Sequence, residues 1–169
     1  MWYALRRHGV GTVFAAKQKE AKMAKLKIEG FPCQKNVPHL IPDWVAEVIE
    51  DVEPTQFDPS NLKFVGFLKD VDNGRIKGST MRTRAKEMKA NFGLSDVPAL
   101  LGEDGKGLKT IPSELRGKAY IVLTGTLLRG SGGLFVRVPC LYWYGDRWML
   151  HFCGLGNDWF DLGRLVSCE

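Results

Sequence analysis

The stretch LYWYGDRWMLHF, residues 141–152, sets two tryptophans, two tyrosines and a phenylalanine around a Gly-Asp pair. A two-residue turn with glycine first predicts a β-hairpin closing at Gly145-Asp146. Its register places Tyr144 opposite Arg147, Trp143 opposite Trp148, Leu141 opposite Leu150 and Cys140 opposite His151. Because successive side chains of a strand point to opposite faces, this register sorts the residues completely. One face carries Leu141, Trp143, Trp148, Leu150 and Phe152, all apolar, and reads as core. The other carries Cys140, Tyr142, Tyr144, Arg147, Met149, His151 and Cys153, and any chemistry of the hairpin belongs there.

Outward from the hairpin the texture stays β. KAYIVLTGTLL, the turn RGSGG, LFVRVPCLYWY and RWMLHFC predict an antiparallel meander of three to five strands in the C-terminal half, with RLVS at 164–167 as the last of them. Upstream, STMRTRAKEMKANFG predicts an amphipathic helix capped by Ser79 or Thr80, with Met81, Ala85, Met88 and Phe92 on one face and Gly93 as its stop. DWVAEVIEDV predicts a short helix over 43–52, since Trp44, Val45, Val48 and Ile49 fall near helical spacing. NLKFVGFLK (61–69) alternates as a strand, and 98–117 reads as a helical turn followed by a glycine-rich connection with a second turn at PSEL. Short helices first and a meander last define an α+β domain over residues 30–169. Residues 30–42 are a proline-interrupted lead-in, and residues 1–29 are a basic N-terminal extension.

A chain of 169 residues, 44% hydrophobic and 25% charged, is long enough for one core. No apolar run reaches the roughly 18 residues of a membrane span, so no membrane partner is expected. The four cysteines are too sparse for a disulfide framework and none lies in a Cys-x-x-Cys spacing, which points to reduced thiols and a cytoplasmic location. Of the net charge of +5, residues 1–22 supply +4, and Met23 opens MAKLKIEG, which would serve as a start of its own. AAKQKEAKMAKLK reads as a basic helix or arm.

Three constellations compete for function. Tyr142, Tyr144 and Arg147 would form a stacking surface for bases or for a partner's side chains, against the plainer reading of half-exposed sheet residues. Arg82, Lys86 and Lys89 share a helical face opposite Met81 and Met88 and would contact phosphates. The acidic stretch 43–58, with six carboxylates and no Lys or Arg, offers them intramolecular compensation instead. Cys140, His151 and Cys153 could converge on zinc, with Cys168 or Cys33 as a fourth ligand, although buried cysteines and a lone histidine are commonly structural. A Cys140-His151 nucleophile pair shares that geometry but lacks a third, orienting group. GEDGKGLKT has Leu108 where a P-loop needs lysine, and DVDNG places its glycine one residue early for a calcium loop.

GKAYIVLTGTLLR, VPCLYW, GDRW and the NDW ending resemble the C-terminal part of a group of small hypothetical proteins from uncultivated bacteria, over about residues 40–168, and depart from it at Gly154-Leu155-Gly156-Asn157. The resemblance implies a single domain beginning after residue 30 and no chemistry. The sequence therefore predicts a small soluble α+β protein, a non-catalytic binding module without cofactor, whose partner is nucleic acid or an acidic protein surface. A zinc-binding or Cys/His-dependent enzyme is the alternative.

Overall fold

The computed structural model describes residues 30–102, 104–133 and 135–168; the basic N-terminal extension and its helix-or-arm reading lie outside them. Among the described residues nine strands and three α-helices follow in order. They are α1 (Pro32–Asn36), β1 (Val45–Glu50), β2 (Lys63–Val65), β3 (Arg75–Lys77), α2 (Gly78–Glu87) and α3 (Val97–Leu101). Then come β4 (Tyr120–Val122), β5 (Leu127–Gly130), β6 (Val136–Tyr144), β7 (Arg147–Gly154), β8 (Asp158–Phe160) and β9 (Gly163–Ser167). Seven strands form one sheet in the order β1-β5-β6-β4-β9-β2, with β7 also paired to β6, while β3 and β8 pair separately. The α+β class holds. The meander is corrected: the sheet is larger, draws β1 and β2 from the first half, and is mixed, because β4 and β9 run parallel.

The β6–β7 hairpin has the predicted register, from Tyr144 opposite Arg147 to Arg137 opposite Gly154. Gly145 takes φ +64 and supplies the left-handed first position of a tight turn. Since β7 occupies one edge of β6 along its length, β4 and β5 must share the other. Val122 faces Cys140 and Leu128 faces Arg137, so the chain loops out extra residues between them, over Leu123–Thr126. Pro139 is the cause on the opposing strand: its carbonyl accepts from the Leu123 amide at 2.9 Å, but it has no N–H to continue the ladder.

The sheet is covered on both faces. On one, Ile121, Leu123, Leu128, Leu141, Trp148 and Val166 pack with Cys33 and Val37 of the α1 region, Val97 and Leu100 of α3, and Phe92 and Leu94. On the other, Val122, Val138, Cys140 and Leu165 pack beneath Met81 and Ala85 of α2 and beneath Ile76 and Trp159 of the β3–β8 pair. Trp148 is 2% exposed. Residues 104–108 close over it: its amide donates to the Gly105 carbonyl at 2.9 Å, and a Cβ on Gly107 would come within 2.7 Å of its ring.

Three elements differ from their sequence reading. Residues 43–52 are not a helix; Val45–Glu50 is a strand paired with β5. The register shifts twice in six residues, between Val45 and Glu47 and between Val48 and Glu50. Each irregularity resets the alternation of sides, so a bulged strand acquires an apolar spacing that imitates a helix. Helix α2 starts at Gly78, with Lys77 rather than Ser79 or Thr80 at the N-cap. It also ends early: Lys89 adopts φ +50 and the Ala90 amide reaches back to the Ala85 carbonyl at 2.8 Å, a left-handed stop that frees Phe92 to join the opposite core. Of 61–69, only Lys63–Val65 pairs as a strand, and Phe67 turns to the other core from Phe64.

Trp148→Ala should lower unfolding free energy by roughly 3–5 kcal/mol in urea titration, whereas Met149→Ala, on the opposite face, should change it by less than about 1 kcal/mol. A second expectation concerns acid. Arg84 hydrogen-bonds Asp72 (Nη2 to Oδ1, 2.8 Å), and with the Lys69 amide it holds that carboxyl at about 2, below its ordinary 3.8. A depressed carboxylate contributes stability above its unfolded value and loses it as pH falls through the folded one. Asp72→Asn should therefore show a smaller drop in urea midpoint between pH 4 and pH 2 than the parent protein. An equal drop in both would assign the acid sensitivity elsewhere.

Candidate functional site

Helix α2 and the β3–β8 pair cover the end of the β6–β7 hairpin near Val138 and Cys140 and leave the turn end uncovered. There Tyr142, Tyr144, Arg147, Met149 and His151 stand on the same face. The Tyr142 ring lies 6.4 Å from Tyr144 and 5.8 Å from His151, edge to face in both cases. Tyr144 is 68% exposed, and Met149, Arg147 and His151 are also exposed. Arg147 pairs with Asp146 at 3.3 Å in solvent, a contact too exposed to hold it firmly. Tyr120, opposite Tyr142 on β4, continues the aromatic row inward to the buried Trp159 at 6.0 Å. On the other face the apolar partners Trp143 and Trp148 pack at 5.7 Å, and Arg116 covers Trp143 at 4.5 Å.

Toward the other end of β7 a cleft of about 410 Å³ lies at the strand's edge, lined by His151 and Cys153 of the tyrosine face, by Phe135, Arg137 and Phe152 of the opposite face, and by Asn157. A second cleft of about 560 Å³ adjoins it and reaches Lys77 and Ser79. Phe135 is 71% exposed between them. Arg137 lies 5.1 Å over Trp44, so the cation is held against a ring rather than left loose. From Tyr144 to Phe135 the distance is roughly 30 Å by strand rise. The sequence reading missed Phe135, Arg137 and Asn157. The available signal was the phase of FVRV, which places Phe135 and Arg137 on the face opposite Val136 and Val138.

The basic helical face is occupied. Glu50 meets Arg82 at 2.8 Å and Lys86 at 2.9 Å, and Arg82 also donates to the Thr124 carbonyl at 3.2 Å. Lys86 and Arg82 hold the Glu50 carboxyl below its ordinary value against the effect of burial. Lys89 forms the left-handed helix stop and does not continue the Arg82-Lys86 face as a helical residue. The compensation offered by the acidic stretch is thus realised at Glu50.

Cys140, His151 and Cys153 are not gathered into a metal site. Cys140 is buried and donates weakly to the Val138 carbonyl at 3.7 Å, while His151 is exposed against the Tyr142 ring. Among the described residues no three His, Cys, Asp or Glu side chains converge. Burial raises the Cys140 thiol, which also disfavours a Cys140-His151 nucleophile pair. The hydrogen bond from Cys140 lowers Cys153, helped by the charge of Arg137. All four cysteines are free thiols, and no helix among the described residues is long and apolar enough to cross a membrane.

Comparison with protein-family models, with curated proteins and with solved structures finds no match. Glu50→Gln removes the anion that Arg82 and Lys86 share, so the variant should elute from a heparin column at higher salt than the parent. Unchanged elution would mean that Glu50 does not mask the helix.

Proposed function

We propose that the protein is a non-catalytic binding module that holds a short single-stranded nucleic acid against the open face of β6 and β7. The observation that carries the reading is the half-buried Tyr142 ring set against the exposed Tyr144 and His151, beside Arg147, at the turn end of the hairpin that helix α2 and the β3–β8 pair leave uncovered. Every base has a π-face, so such a row binds without needing a base-reading motif, at about 1–3 kcal/mol per stacked base. Phosphates would meet Arg147 beside the rings, since Lys77 is paired with Asp158 at 2.5 Å and Arg137 lies on the opposite face over Trp44. With so few cations the salt dependence is shallow, about 0.7 logarithmic units per phosphate contact.

The basic helix supports this reading less than the sequence suggested, because Arg82 and Lys86 are shared with Glu50. An acidic protein surface fits the open face poorly, since Tyr144 and Met149 there offer rings and thioether rather than charge. Titration of labelled single-stranded RNA at low salt tests the proposal. Tyr142→Ala and Tyr144→Ala should each weaken binding by at least about fivefold. Arg82→Glu should have a smaller effect. Equal binding by parent and both tyrosine variants, or binding lost only in the helix variant, would overturn it.

A further inference from the structure

Cys140 and Cys153 are diagonal neighbours on one face of the β6–β7 hairpin: Cys140 stands opposite His151, and Cys153 is the next residue of β7 on the same face. Neither is in a disulfide, and the Cys140 Sγ lies 3.7 Å from the Val138 carbonyl. Their surroundings are unequal. Cys140 is 1% exposed under the α2 layer, whereas Cys153 is half-buried and opens into the 410 Å³ cleft beside Arg137, His151 and Asn157. One sulfur is therefore reachable by a small solute, next to a cation, and the second is sealed at the diagonal position of the adjacent strand. Accessible thiols near a positive group and beside a second cysteine are the ones that oxidise reversibly.

We infer that Cys153 and Cys140 form a reversible dithiol couple that reacts with hydroperoxides, with Cys153 attacking and Cys140 resolving. The Cys153 thiolate attacks one oxygen of hydrogen peroxide, the O–O bond breaks, and the leaving hydroxide takes a proton to become water, which leaves Cys153 as a sulfenic acid. The Cys140 sulfur then attacks the Cys153 sulfur, the S–O bond breaks, and the thiol proton leaves with the hydroxyl as a second water. Two thiols and one peroxide thus become one disulfide and two waters. Diagonal Cα atoms lie roughly 7–8 Å apart, beyond the ~5.5–6 Å of a relaxed disulfide. Closure must draw β6 and β7 together locally, and a bond formed under strain is the more readily reduced. The couple needs no nucleic acid and stands apart from the proposed binding role.

The other two cysteines are internal controls. Cys33 is buried, and burial followed by the nearby Asp51 carboxylate pushes its thiol up; Cys168 is half-buried and packs against the opposite core. The test exposes the full-length protein to one equivalent of hydrogen peroxide, blocks remaining thiols, and maps each cysteine by mass spectrometry over time. Cys153 should react at least tenfold faster than Cys168, and the product should be a Cys140-Cys153 linked peptide pair that dithiothreitol reverses. In Cys140→Ser, and in Cys140→Ala should the serine variant not fold, Cys153 should accumulate as a sulfenic acid trapped by a 1,3-diketone. Cys153→Ser should leave Cys140 reduced. Oxidation of Cys153 no faster than that of Cys168, or a parent protein that stops at the sulfenic acid, would overturn the inference.

Discussion

The two-residue turn at Gly145-Asp146 fixes the register of β6 and β7, and the rest of the molecule is arranged around that register. Side chains alternate with a period of two, so a slip of one residue on either strand would exchange that strand's two faces. Trp148, now 2% exposed beneath residues 104–108, would be carried to the solvent side, and His151 or Arg147 would be driven under them. The cost of that exchange is what makes the hairpin unambiguous, and it leaves the tyrosines outside. The open face is in this sense the complement of the core: Tyr144 is exposed and Tyr142 half-buried because Leu141 and Trp148 are sealed on the other side.

The second organising feature is the interruption between β4 and β5. A strand that met no obstacle would pair along the whole of β6; Pro139 offers no donor, and the chain leaves the ladder over Leu123–Thr126. Leaving the ladder strands polar groups in the interior, and these must find partners. Thr126 donates to Asp51 and accepts from the Leu94 amide at 2.7 Å; Asp51 also accepts from the Cys33 amide at 2.6 Å and so caps the first turn of α1 from across the fold. Asp96 accepts from the Gly93 amide at 2.7 Å and the Thr55 amide at 2.6 Å, and its burial raises its carboxyl. Through these bonds the break in one strand holds together α1, the end of β1 and the segment that leads into α3. Branching also lets β1 extend from β5, and β9 and β2 from β4, which is how strands from both halves of the chain enter one sheet.

Legibility in the sequence followed the regularity of the local geometry. The β6–β7 register and its two faces were readable because glycine at a two-residue turn and strict alternation leave one solution. The start of α2 and the burial of Met81 and Ala85 were nearly so. The segment 43–52 was misread because two irregularities in six residues turn an alternating pattern into a spacing of three and four. The end of α2 was misplaced because Lys89, not Gly93, takes the left-handed position. Pairing between distant segments left no local trace: the parallel contact of β4 with β9 and the approach of Glu50 to Arg82 depend on which strand is free to accept a neighbour. For the candidate site, Tyr142, Tyr144 and Arg147 were legible as one face, while the cleft of Phe135, Arg137 and Asn157 required knowing where β7 ends against the turn that precedes β8.

The hairpin has one sealed face and one that is open at its turn end, and the proposed ligand would lie on the open one. Hydroxyl-radical footprinting of the intact protein, with and without a short single-stranded RNA, measures both at once. Tyr144, Met149 and His151 should be labelled rapidly and Trp148 slowly, and RNA should protect Tyr142, Tyr144 and His151 while leaving the exposed Phe160 and Leu162 unchanged. Labelling of Trp148 as fast as Tyr144, or protection that appears at Phe160 and Leu162 and not at the tyrosines, would contradict it.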